Sequence, residues 1–429
     1  MHEICCAGRK IAKIAPMRKL RHISLDYYAH VRAFSRDVKL FLISQAFLNF
    51  AGSLFGVFFN VYLKKGGLDE ALIGGRTSII VWGTVLFALP ASFAVCKMGL
   101  RKAIVWSFPL ILAMMAFSAF TLSAWVLAGL GLVSSFGSML ANAAQSPYLT
   151  ANSSTRTRHY VFSAWFALNS LTGVFGSLVG GFLPDIISAL TNCSEFLALR
   201  YTIFAVCVVC ALGYLPLAKL SDNNSCVPLQ MPSLKLTFDR KILLAARFPI
   251  LQFIIGFGAG FTVPFLSIYF SSHYNLSASK VGMIFSVSSA ITGFASMVTP
   301  LLVRRMGKLW AIILPQLVSL PFIIVLAHST LVMVSVFAWW IRTALMNASN
   351  PVWQQIIMED TEEERRPLIN NVNTLFWNAG WAISVAISGI SIKSFGYAPS
   401  FYTTFFVYLF YIWLTYRFLR SRRAVVAKP

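Results

Sequence analysis

Residues 331–353 read LVMVSVFAWWIRTALMNASNPVW. The run is apolar and long enough to cross a bilayer, which takes about 20 helical residues, and Arg342 stands near its middle. An arginine at that depth costs roughly 2.5 to 3.5 kcal/mol on insertion scales, so it faces a bundle interior or a watery cavity rather than lipid. Arg342 is the only charged residue near the centre of any apolar segment. The expected fold is a bundle of membrane helices around a cavity that Arg342 overlooks.

Composition agrees. The 429 residues are 57% hydrophobic and 14% aromatic but only 12% charged, which no ordinary soluble globule could carry. The net charge of +22, from 36 Lys+Arg against 14 Asp+Glu, would point to nucleic acid only if the basic residues shared one face of a soluble domain. Here they lie between apolar runs, which is the orientation signal of a membrane protein. No nucleic-acid partner is expected, and the lipid bilayer is. The seven cysteines are odd in number and form no second cluster, so neither a disulfide framework nor a zinc site is supported. Cys207 and Cys210 form a C-x-x-C within an apolar helix and read as small core residues. No metal or cofactor is expected.

About twelve apolar runs have spanning length: 39–63, 72–96, 102–121, 123–147, 160–184, 200–219, 247–271, 279–302, 309–328, 330–352, 370–393 and 399–420. The chain thus divides into a basic N-terminal segment, 1–38, a six-helix half, 39–219, a linker, 220–246, a second six-helix half, 247–420, and a basic tail, 421–429. Residues 1–39 hold no signal-peptide run. Within them Leu20, Ile23, Tyr27, Val31 and Phe34 recur at helical spacing among arginines, as in a short helix on an anionic membrane face or in a disordered basic tail.

Lys and Arg crowd alternate loops: Lys97, Arg101 and Lys102; Arg156 and Arg158; Arg304, Arg305 and Lys308; Arg365 and Arg366. They also crowd both termini and the linker. By the positive-inside rule those loops and both termini are cytoplasmic, and the cell membrane is the expected location.

The halves repeat. Lys97-Met98-Gly99 recurs as Arg305-Met306-Gly307, 208 residues on (307 − 99 = 208). At the same offset Gly52 meets Gly260, Leu68 meets Leu276, Gly74 meets Gly282 and Arg158 meets Arg366, and Tyr62 meets Tyr269 within a residue of it. Two repeated halves holding a solute between them near the midplane is a recurring transporter plan.

These features resemble the major facilitator superfamily, whose mark is a G-x-x-x-D-R-x-G-R-R-like turn between helices 2 and 3, echoed between helices 8 and 9. Here the turn runs from Ser92 to Lys102, with Ser92 in place of the family's glycine and Cys96 in place of its acid. The second copy keeps Arg305 and Gly307 but has Arg304 at the acidic position. The resemblance, covering about residues 39–420, implies an all-α polytopic membrane protein, twelve helices in two halves of six. It implies a gating role for Lys97, Gly99, Arg101, Arg305 and Gly307. Gly173 to Gly181 resembles the glycine-rich fifth-helix motif of facilitator antiporters, with Ser177 for its proline. The alternative for Gly176 and Gly180 is close helix packing.

Polar stripes mark the candidate cavity. Gln45, Asn49, Ser53, Gly56 and Asn60 share a face of helix 1, and Ser135, Ser138, Asn142 and Gln145 share one of helix 4. The resemblance puts helices 1, 4, 7 and 10 around the substrate path, adding Gln252 from helix 7 and Arg342 and Asn347 from helix 10. Trp377, with Trp165, Trp353 and Trp381, supplies aromatic surface, the alternative for each being core packing or the interfacial belt. Each polar residue has the competing reading of an interhelical hydrogen bond, and Arg342 that of satisfying carbonyls near Asn350-Pro351.

No Asp or Glu lies in the middle of a span. Buried carboxylates are what proton- and cation-handling carriers use, so an anionic or amphiphilic organic solute is favoured over a cation. The acidic run Glu359 to Glu364 reads as a solvated loop, from which Asp360 and Glu364 could reach Arg304 and Arg305. The expectation is a secondary carrier working as a monomer by alternating access. Its rivals are a multidrug-type efflux carrier, a transporter-like sensor and a membrane-embedded enzyme, for which no nucleophile, metal cluster or paired-carboxylate motif is found.

Overall fold

The computed structural model describes residues 34–154, 157–221, 247–361 and 366–426. The basic segment with its apolar spacing, most of the linker and Glu364 lie outside these residues. Helices α1 (Arg36–Lys65), α2 (Glu70–Met98), α3 (Leu100–Phe117), α4 (Ala124–Ala151), α5 (Arg158–Thr191) and α6 (Glu195–Ala218) form one half. The other begins with α7 (Arg247–Thr262), which continues through a 3-10 turn at Val263–Phe265 and a π turn at Tyr269–His273. Pro264 explains the change, since a proline cannot donate to the helical ladder and clashes with the preceding turn. A helix over Ala278–His328 then breaks at Gly307 into α8 (278–306) and α9 (308–328). Helix α10 (Val332–Asn347) resumes beyond Ala348 and Ser349 as Asn350–Asp360, and α11 (Arg366–Phe395) and α12 (Ala398–Val426) complete the bundle.

Short polar residues cap the starts of α1, α2 and α6. Ser35, Asp69 and Ser194 accept hydrogen bonds from the backbone N–H groups of Val38, Leu72 and Leu197, satisfying donors that have no partner within the helix. Among the described residues ten helices are long and apolar enough to span a membrane. The remaining two are α10 and α12. Helix α10 has 16 residues, about 24 Å of rise against a hydrocarbon core of about 30 Å. The long apolar run read around Arg342 is thus two helical pieces.

Packing repeats as the sequence does. α1 lies against α5 and α6, and α7 against α11 and α12; α2 packs on α4, and the α8–α9 helix packs on α10. Tyr62 donates to the carbonyl of Ala119 at 3.5 Å, and Tyr269 to that of Leu326 at 2.7 Å. Both bonds span 57 residues and lie 207 apart (269 − 62 and 326 − 119). Each half has its own apolar core. They meet where α2 packs along α11 and α5 along α8.

Candidate functional site

The basic loops share one end of the bundle, and the halves are joined toward the opposite end. There a Cβ on Gly74 would lie 2.7 Å from the Val385 carbonyl oxygen, and one on Gly181 would lie 2.5 Å from the Cα of Gly282. Only glycine permits such approach. Asn60 of α1 donates to the Pro264 carbonyl at 2.9 Å, and Ser286 of α8 to that of Val174 at 3.1 Å. An ion pair between Asp69 and Lys393, 2.7 Å long, also crosses the halves. The Lys393 ammonium, then the Leu72 N–H, hold the Asp69 carboxyl below the usual carboxylate range. This end is closed.

The residues singled out in the sequence are not gathered around one point. On α4, Asn142 is exposed and Gln145 half-buried. On α1, Gln45 is buried with its Nε2 unpartnered, and Asn49 donates to Asn169 Oδ1 of α5. Gly52 and Gly56 front open space, since a Cβ on either would meet nothing within 4 Å. Gln252 of α7 is half-buried. Asn347 caps the broken end of α10, donating to Thr343 O at 2.9 Å and accepting from Asn350 at 3.2 Å. Trp377 packs on Trp381 with ring centroids 4.8 Å apart, and its carbonyl lies where α7 passes at Gly256.

The gating candidates fall at two kinds of place. Gly99 and Gly307 form the turns, both at positive φ; Lys97 and Arg305 are exposed there, and Arg101 is half-buried. Gly176 and Gly180 sit against Phe50 and Leu54 of α1, each 2.7 Å from a carbonyl oxygen once given a Cβ. Their contacts are helix packing within one half. At the end of the helical piece after α10, Glu359 pairs with Lys308 at 2.6 Å.

Arg342 is 4% exposed, about 15 Å from the start of α10. Its Nη2 donates to the Tyr408 hydroxyl at 3.1 Å, and its guanidinium carbon lies 5.3 Å from the Trp339 ring centroid and 5.4 Å from that of Tyr408. It ties α10 to α12. The N-terminal half holds a counterpart that the sequence reading did not single out as a site residue. Arg76, six residues or about 9 Å inside α2, is 6% exposed, lies 4.7 Å over the Phe59 ring and leaves its Nε without a partner. Neither arginine has a carboxylate within ion-pair distance among the described residues. Asn373 of α11 is buried with both amide atoms unpartnered. Position inside a long apolar run could have flagged Arg76; nothing local flags Asn373.

The Major Facilitator Superfamily profile matches residues 41–228 and 250–429. No curated protein sequence is significantly similar to the chain. Among solved structures, a bacterial homologue of the human lysosomal transporter Spinster, inward-facing and occupied, superposes with a TM-score of 0.74 at 13% identity, covering 90% of this chain and 96% of that one. A bacterial homologue of the iron transporter ferroportin, inward-facing, gives 0.69 at 15% identity, covering 89% and 98%. A mutant form of the nucleoside transporter NupG gives 0.68 at 14% identity, covering 90% and 99%. Such identities carry the twelve-helix fold and nothing about the solute. On the match across both halves, the chain belongs to the major facilitator superfamily.

Proposed function

We propose that this transporter moves a small organic anion, or an amphiphile with an anionic group, by alternating access of a site between its halves. One observation carries the choice of solute. Among the described residues each half buries one arginine, Arg76 or Arg342, over an aromatic ring and without a carboxylate partner. A buried unpaired charge is costly, and an anion that visits it recovers part of that cost through charge-assisted bonds. The unpartnered N–H groups of Gln45, Trp165 and Asn373 add donors, and among the described residues no Asp or Glu lies in the middle of a span.

By this reading the basic loops face the cytoplasm, the protein sits in the cell membrane as a monomer, and the solute leaves chemically unchanged. The helix halves correspond to residues 39–219 and 247–420. Asn142, Gln145 and Gln252 supply polar contacts, and the glycine turns at 99 and 307 let the halves rock.

The test is counterflow in proteoliposomes with organic anions, neutral solutes and cations, alongside ligand-dependent melting of wild type and Arg342→Ala. Ligand bound only to the folded state raises the melting temperature. Exchange and stabilisation by anions, lost in Arg342→Ala, is the expected result. Equal response of both proteins to cationic amphiphiles would replace this reading with a multidrug-type exporter, and binding without counterflow would make the protein a sensor.

A further inference from the structure

A groove of about 360 Å3 runs between the start of α7 and the end of α12, lined by Arg247, Ile250, Leu251, Trp413, Leu414, Arg417 and Phe418. It lies at the basic end and is separate from the contact between the halves, since α7 and α12 belong to the same half. Its floor is apolar. Ile250 and Trp413 are about half exposed, at 50% and 49%.

The charges sit at one end of it. Arg247 is held 5.6 Å from the Phe418 ring centroid and Arg417 5.2 Å from that of Trp413. Such cation–π contacts fix where a guanidinium lies while leaving its N–H donors free. Among the described residues no carboxylate lines the groove, and neither arginine has an ion pair. Leu251 and Leu414 stand about one turn further from the basic end, some 5 Å deeper. The order along the helix axes is therefore two fixed cations toward the basic end and branched apolar side chains beyond them.

We infer that this groove binds an anionic phospholipid, its phosphate forked by Arg247 and Arg417 and an acyl chain laid over Ile250, Leu251 and Leu414. Guanidinium groups match phosphate oxygens bidentately, and basic pockets beside spanning helices are where anionic headgroups collect. A zwitterionic lipid brings the same tails but offsets the attraction with its own cation. A free phosphate ester would meet the arginines and leave the apolar floor uncovered. The site is independent of whichever solute crosses the bundle.

The full-length protein, delipidated in a neutral detergent, is titrated with phosphatidylglycerol, phosphatidylcholine or glycerol phosphate while retained lipid is counted by native mass spectrometry and melting is followed. Wild type should retain phosphatidylglycerol and melt higher with it, and respond little to the other two. In Arg247→Gln/Arg417→Gln, retention should weaken roughly thirty-fold, counting each arginine at its usual contribution near a membrane surface, with melting in phosphatidylcholine unchanged. Arg200→Gln, a cation over Phe120 at the opposite end, should behave as wild type. The inference is overturned if the double variant retains phosphatidylglycerol as wild type does, if Arg200→Gln loses as much, or if glycerol phosphate alone gives the full stabilisation. Should the double variant fail to fold, the two single variants carry the same comparison.

Discussion

Gly99 and Gly307 hold one backbone conformation at the same turn of the two halves, with φ 86° and ψ 159° at the first and φ 76° and ψ 165° at the second. That region of conformational space is essentially glycine's alone, and other residues pay about 1 to 3 kcal/mol to enter it. A Cβ on Gly99 would meet nothing within 4 Å, so backbone strain alone sets the cost there. Gly99→Ala and Gly307→Ala should each lower stability by about that amount in thermal or denaturant unfolding. Gly52→Ala, equally uncrowded but inside a helix, should be neutral or stabilise by up to about 1 kcal/mol. Equal melting of all three would remove the turn argument.

Bulk at the α5–α8 contact should hold the closed end open. A Cβ on Gly282 would sit 2.3 Å from the Cα of Gly181, so Gly282→Leu cannot be accommodated while the helices touch. Spin labels placed at exposed Leu190 and Leu331, one on each half, should report a longer mean distance in the variant than in wild type. An unchanged distance distribution would mean that the contact does not govern closure.

Tyr408 separates packing from binding at Arg342. Tyr408→Phe removes the 3.1 Å bond to the guanidinium but leaves the ring beneath it, and a hydrogen bond to a charged group is worth about 1.5 to 3 kcal/mol. Unfolding stability should fall by that order while anion-dependent stabilisation persists. If the anion response vanishes together with the hydroxyl, Tyr408 contacts the solute itself.

Closure should loosen in acid. The Asp69 carboxyl is held below its usual range by Lys393 and the Leu72 N–H, so its contribution is fully present above the ordinary carboxylate pKa of about 4. It is lost as pH falls further, through the lowered value of the closed state. Opening of this end, read by the same spin-label pair, should increase below about pH 4 in wild type and be pH-independent there in Asp69→Asn. The pair is partly exposed, and such bridges are worth at most about 1 kcal/mol, so the shift is a few-fold. A variant that still opens with the wild-type pH dependence would assign the effect to another group.

Span count, the repeat and the turn glycines could be read from the sequence because each depends on local chemistry: apolar length, spacing along the chain, and a conformation only glycine tolerates. What escaped was direction around each helix. Asn49 and Ser53 read as one cavity-facing stripe, yet Asn49 bonds Asn169, 120 residues away, and Ser53 packs beside Gly176. Apolar runs carry little periodicity when lipid and core are equally greasy, so the azimuth of Arg76 or Asn373 is decided by neighbours from distant sequence. The break after Asn347 escaped for a related reason, because Ala348 and Ser349 are compatible with either a continuous or an interrupted helix.

The glycine pair at 181 and 282 also bears on how readily the halves change partners. No side chain stands between the two backbones, so parting them demands no rotamer change and uncovers little greasy surface, which is what makes most protein contacts expensive to undo. The contact behaves as a bearing rather than a latch. A bearing holds its two parts in register without opposing their roll, which leaves the direction of the motion to whatever occupies the site between them.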